Sequence, residues 1–192
     1  REGIPAIHIV KIGNFTEEQL PLPRQDLLRL KCEYGIDPSS PIICSVGRLH
    51  TIKGLDVLLK AFSKSRLLKS GYTLLIVGDG PESGNLKSLA ETLGIKSSVV
   101  WAGWQHDPTA FYQLADIAVF PSRQEGFGSV ILEAWANRVA VIASRAGGPS
   151  ELIESGSNGI LTDIENVDQL TEGILEVANN TVLRKCLISG GL

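Results

Sequence analysis

Four charged residues stand at intervals suited to holding a phosphorylated ligand. Gly47-Arg48 and Lys53-Gly54 bracket one short segment, with two cations between two glycines. Glycine lets backbone amides close on a phosphate, and arginine offers a planar fork that matches its oxygens. A helix opening after Gly54 would add the positive end of its dipole. The same residues also fit a solvated loop with ordinary surface charge. Further along, Glu125 and Glu133 are eight positions apart. Glu125 follows Pro121-Ser122-Arg123-Gln124 and precedes Gly126-Phe127-Gly128, while Glu133 stands among Ile131, Leu132, Ala134 and Trp135. A carboxylate in such apolar company is costly without a partner, and ribose hydroxyls would supply one. Taken singly, Glu133 also fits an exposed helix face, and Glu125 an acid that merely favours a helix start.

A third glycine-rich segment, Gly78-Asp79-Gly80-Pro81 with Gly84 beyond it, superficially suggests a dinucleotide fingerprint. Its glycines are spaced G-x-G-x-x-x-G rather than G-x-G-x-x-G. No acid follows about 20 residues on, where the chain reads Val99-Val100-Trp101. Hydride transfer is therefore poorly supported, and a tight turn after a strand explains the segment as well as a ligand does. Cys32, Cys44 and Cys186 are odd in number and scattered, as are His8, His50 and His106. Neither a disulfide framework nor a zinc spacing is visible, so a reducing, cytoplasmic setting is expected. A net charge of −3 argues against a nucleic-acid-binding surface. No apolar run reaches membrane-spanning length, and no signal peptide opens the chain.

The elements that must position these residues alternate. Apolar, β-branched strands are expected at 41–46, 73–77, 99–101, 117–120 and 140–143. Helices are expected at 24–34, at 55–62 from Leu55, Leu58, Leu59 and Phe62, and at 86–93 with Ser83 as N-cap. Others are expected after Asp107-Pro108, which reads as cap plus first position, at 129–137, as a turn at 150–154, and at 167–177 as the last clear helix. Short, continuously apolar strands between amphipathic helices imply an α/β fold, a doubly wound parallel sheet covered on both faces. Ligands of such sheets bind at the carboxyl ends of the strands, which is where all three glycine-bearing segments fall. The composition, 43% hydrophobic and 20% charged over 192 residues, suits one globular domain. Residues 24–192 would form that domain and 1–23 a linker from a preceding one. The chain opens on Arg1 and contains no methionine, so it is expected to be a piece of something longer.

Together, G-R-x4-K-G, G-D-G-P and E-G-F-G-x4-E, in this order and on these elements, resemble glycosyltransferase family 4. The resemblance extends through Gly147-Gly148-Pro149-Ser150-Glu151 and Asn158-Gly159. It implies the C-terminal, Rossmann-like half of a two-domain GT-B enzyme that transfers a hexosyl group from a nucleoside-diphosphate sugar with retention. It assigns Arg48 and Lys53 to the donor diphosphate, where they stabilise the leaving group, and Glu133 to the ribose. It places Glu125 beside the sugar's anomeric carbon, leaving open a nucleophilic or a front-face role. The amides of Gly126, Phe127 and Gly128 would serve sugar and phosphate. Gly47, the Gly78 to Gly80 loop and the Gly103-Trp104 loop would surround the nucleotide. No metal or cofactor is implied, because the two cations do a metal's work.

The acceptor, and any peripheral association with a membrane surface, would belong to the absent N-terminal half. The family's final crossing helix is expected to be absent as well, and the isolated piece is expected to be inactive. Two features depart from the family pattern. Trp135 and Arg138 replace small residues and a glycine, and Gly13-Asn14-Phe15 lacks the usual Asn-Gly turn. The alternatives are a GT-B sugar-nucleotide epimerase or phosphorylase, or a non-catalytic nucleotide-sugar-binding module. The intact Arg48, Lys53, Glu125 and Glu133 argue against the module.

Overall fold

Residues 19–192 are described by a computed structural model. Most of the expected linker 1–23, including Gly13-Asn14-Phe15, lies outside the described residues. Six strands, β1 Ile42–Val46, β2 Thr73–Val77, β3 Val99–Gly103, β4 Ile117–Phe120, β5 Ala140–Ser144 and β6 Ile160–Thr162, make one sheet in the order β3-β2-β1-β4-β5-β6. Every pairing is parallel. This is the doubly wound order whose direction of winding reverses between β1 and β4. The chain must cross over to continue each parallel pair, and among the described residues eight helices supply cover: α1 Arg24–Glu33, α2 Leu55–Ser65, α3 Ser83–Thr92, α4 Thr109–Leu114, α5 Ser129–Ala136, α6 Gly147–Leu152, α7 Val167–Asn179 and α8 Thr181–Gly191.

Alternate strand residues go to opposite faces. On one face Ile43, Leu74, Ile76, Val119 and Ile142 pack under Leu58, Phe62, Leu86, Leu170, Ile174 and Leu187 from α2, α3, α7 and α8. On the other, Cys44, Leu75 and Val77 meet Phe111 and Leu114 of α4. Farther along that face Phe120, Val141 and Ala143 meet Ile131, Ala134 and Trp135 of α5. Burial on both sides explains why the strands read as unbroken apolar runs rather than alternations.

Several local expectations shift. Ser83 is the first residue of α3 rather than its cap, which is Glu82 with no side-chain cap bond. Pro108 takes the cap position of α4, and the Asp107 carboxylate accepts from the Thr109 amide at 2.9 Å. The turn expected at 150–154 is a helix that begins earlier, at Gly147. Strand β6 and helix α8 were not expected. Three residues are too few to show a period, and α8 ends in Ser189-Gly190-Gly191, which reads as a loop. The glycines fit because α8 packs close: a Cβ on Gly191 would lie 2.3 Å from the Trp135 ring. The Trp135 indole donates to the Asn158 carbonyl at 2.9 Å. Arg138, where a glycine is usual, holds a left-handed φ of 59°.

Candidate functional site

The loops after β1, β2, β4 and β5 meet at the carboxyl edge of the sheet, and glycines let them touch. A Cβ on Gly78 would fall 2.0 Å from the Gly47 carbonyl oxygen, and one on Gly80 2.4 Å from that of Leu49. Gly54, at φ 64°, passes so close to the β4 loop that its Cβ would lie 2.0 Å from the Pro121 carbonyl oxygen. Gly147 approaches Glu125 in the same way, and the Gly148 amide donates to the Glu125 carbonyl at 2.8 Å. Loop-on-loop packing thus accounts for Gly78 and Gly80 of the segment that resembles a dinucleotide fingerprint, while a Cβ on Gly84 would meet nothing within 4 Å.

This packing unites Lys53 and Glu125. The Lys53 ammonium donates to Glu125 Oε2 at 2.5 Å, with the two side chains only 24% and 14% exposed. The other carboxylate oxygen accepts a long bond, 3.4 Å, from the Gly128 amide. Gly128, at φ 74°, is the N-cap of α5 and offers no side chain to the helix's first amides, of which that of Ile131 donates to the Gly128 carbonyl at 2.9 Å. Gly126 and Phe127 form the exposed rim, Phe127 at 73%.

Beside this pair lies a cavity of about 400 Å³. Gly47, Arg48, Gly78, Asp79, Trp104 and Gln105 are among its walls. Arg48 is exposed there, with no side-chain bond or ion pair to any described residue. Trp104 is 71% exposed, edge-on to His106. Gly80 does not line the cavity and instead supports Leu49.

Glu133 is not a wall of this cavity. It lies half-buried on α5 and accepts from the hydroxyl of buried Tyr112 at 3.0 Å. Burial raises the Glu133 carboxyl above its ordinary range, and the Tyr112 bond offsets only part of that. Tyr112 was missed as a partner because a phenol beside the core residue Phe111 carries no signal of where it points.

Arg123 was also missed, though it stands only two residues before Glu125. It holds Asp56 through two parallel bonds of 2.9 and 3.0 Å, Glu165 at 2.6 Å and the Thr51 carbonyl at 2.6 Å. Burial works against the Asp56 charge, but bonds from Arg123 and Lys60 outweigh it and hold the carboxyl below the usual range.

The family model for glycosyl transferases group 1 matches residues 29–191. The chain belongs to this family. Among curated relatives, it is 34% identical over 152 residues to the lipopolysaccharide core biosynthesis glycosyltransferase LpsE of Rhizobium meliloti, covering 79% of this chain and 44% of LpsE. It is 30% identical over 181 residues to N-acetyl-alpha-D-glucosaminyl L-malate synthase of Bacillus anthracis, covering 94% and 47%. The chain therefore spans about half the length of these curated relatives. Its fold matches Anabaena HepE, solved with UDP and glucose, at a TM-score of 0.84 and 26% identity over 93% of this chain and 49% of HepE. It also matches the C-terminal domain of the group 1 protein LpcC of Francisella tularensis, covering 92% and 94% at a TM-score of 0.77. At 24% identity, that likeness speaks for the fold alone. The sheet is thus the α/β, Rossmann-like unit of the GT-B architecture. Among the described residues, no helix is long and apolar enough to cross a membrane.

Proposed function

We propose that this chain is the donor-binding half of a retaining glycosyltransferase of the family 4 type, using a nucleoside-diphosphate sugar. The observation that carries the reading is the meeting of Lys53, Glu125 and the open N-terminus of α5 at the reversal of the sheet, beside the cavity that Arg48 borders. A diphosphate on Arg48, Lys53 and the α5 amides would have its charge met by preorganised donors as the bond from the anomeric carbon to the leaving oxygen breaks. In that state Lys53 turns from Glu125 to phosphate, and Glu125 becomes available to the sugar. Glu133 takes the ribose hydroxyls, and Gly47, Gly78 and Trp104 border the nucleotide. The second domain supplies the acceptor and any contact with a membrane surface.

Calorimetry in EDTA with UDP, GDP and ADP tests this. At least one of them should bind without metal at or below millimolar concentration. Silence from all three would refute the reading.

A further inference from the structure

The following rests on the reading that Lys53 meets the donor diphosphate. We propose that Arg123 is a positioning residue that sets the placement of Lys53 and Glu125 relative to each other. Lys53 and Glu125 belong to the loops after β1 and β4, and Arg123 ties those same two loops together behind them. Its Nη1 reaches the Thr51 carbonyl, two residues before Lys53, and Arg123 itself stands two residues before Glu125. Its backbone amide donates to the Ile52 carbonyl at 2.7 Å. The same guanidinium grips Asp56 in the first turn of α2 with both prongs, and its Nε takes Glu165 from the loop between β6 and α7. Four of its five N–H donors are engaged, with partners at Thr51, Asp56 and Glu165.

Isolated ion pairs at a surface contribute little, but a bidentate arginine in a network of carboxylates is geometrically specific. Here both Arg123 and Asp56 are under a third exposed. A lysine could supply the charge but not the fork. Glu165 holds a left-handed φ of 61°, an unfavourable state for a residue with a Cβ, while making its bond to Arg123. None of these groups borders the cavity beside Arg48, so Arg123 acts through the two loops and not on the ligand.

The test is a double-mutant cycle on this chain, read by calorimetry with the tightest binder among UDP, GDP and ADP and with its parent nucleoside. Arg123→Gln should weaken the diphosphate about tenfold while leaving the nucleoside within about twofold. Arg123→Lys should lose nearly as much, since the fork is gone. Asp56→Asn and Glu165→Gln probe the clamp from its other ends, should Arg123→Gln fail to fold. In the Lys53→Ala background, Arg123→Gln should add no further loss, because there is no longer an ammonium to position.

Additive losses, or equal losses for diphosphate and nucleoside, would show that Arg123 only braces the fold, and would overturn the inference while leaving the site assignment intact. If Lys53→Ala alone leaves diphosphate affinity unchanged, the site assignment fails and the inference fails with it.

Discussion

Lys53 and Glu125, 72 residues apart in sequence, share a bond of 2.5 Å. Each is the other's partner, so on the proposed reading diphosphate binding would exchange one charge-assisted contact for another. Arg48 makes no such exchange, since its side chain has no partner among the described residues. Replacing either cation with alanine should weaken a nucleoside diphosphate by roughly 1.5–3 kcal/mol, about ten- to a hundredfold, and spare the nucleoside. Equal losses for both ligands by calorimetry would assign these residues to the fold instead.

Glu133 gives a second prediction at this scale. Its native carboxyl titrates above the ordinary value because burial disfavours the charge, and the Tyr112 hydroxyl offsets only part of that. A raised acid contributes stability that is complete below the unfolded value, about 4.3, and is lost as pH rises through the native value. Glu133→Gln should therefore raise the melting temperature of the free chain at about pH 8 and have little effect near pH 3.5. A gain of equal size at both pH values would mean that ionisation of Glu133 is not the cause. Holding a half-buried carboxylate at some cost fits a residue kept for a ligand.

At the scale of elements, the site depends on loops pressed together more closely than any side chain would allow. Gly54 ends the short 3₁₀ turn Thr51–Lys53, caps α2 in the left-handed region and lies against Pro121. Gly54→Ala combines left-handed strain with a clash against backbone that cannot swing away. It should destabilise the chain by about 1–3 kcal/mol and also loosen diphosphate binding, because Lys53 is the adjacent residue. Urea melts and calorimetry measure the two effects. A variant of native stability and affinity would show that the loops can separate at no cost. Helix α5 is likewise capped by a glycine with no side chain, which on the proposed reading leaves room for the diphosphate at its N-terminus.

For the whole molecule, the site lies along one open edge of a sheet. The large core on both faces, from Phe62 and Ile174 to Trp135, gives the domain its own stability. The curated relatives are about twice as long as the stretch this chain matches, and on the proposed reading the remainder supplies a second domain. The chain alone is accordingly expected to bind donor nucleotide but not to transfer sugar. Acceptor orientation can account for several kcal/mol of barrier lowering, and an open cleft leaves the reacting centre in water. Assays with radiolabelled donors against broad acceptor pools, with and without an upstream domain, measure this. Turnover by the chain alone at the two-domain rate would refute it.

The order of short apolar strands and amphipathic helices determined the class of fold, because a parallel sheet buried on both faces leaves that pattern in any sequence. The placing of Arg48, Lys53 and Glu125 on loops after strands, and of Glu133 on the helix that follows, was legible for a similar reason: glycine-flanked segments interrupt the apolar pattern of the strands. The pairing of Lys53 with Glu125, the aim of Tyr112 at Glu133 and the grip of Arg123 on Asp56 and Glu165 were not legible. Each joins segments far apart in sequence, and periodicity reports only which face of its own element a residue occupies. The two glycines of Gly78-Asp79-Gly80 show the same division. Sequence offered a tight turn or a ligand loop there, and only the packed loops revealed that what presses on the two glycines is the backbone of Gly47 and Leu49.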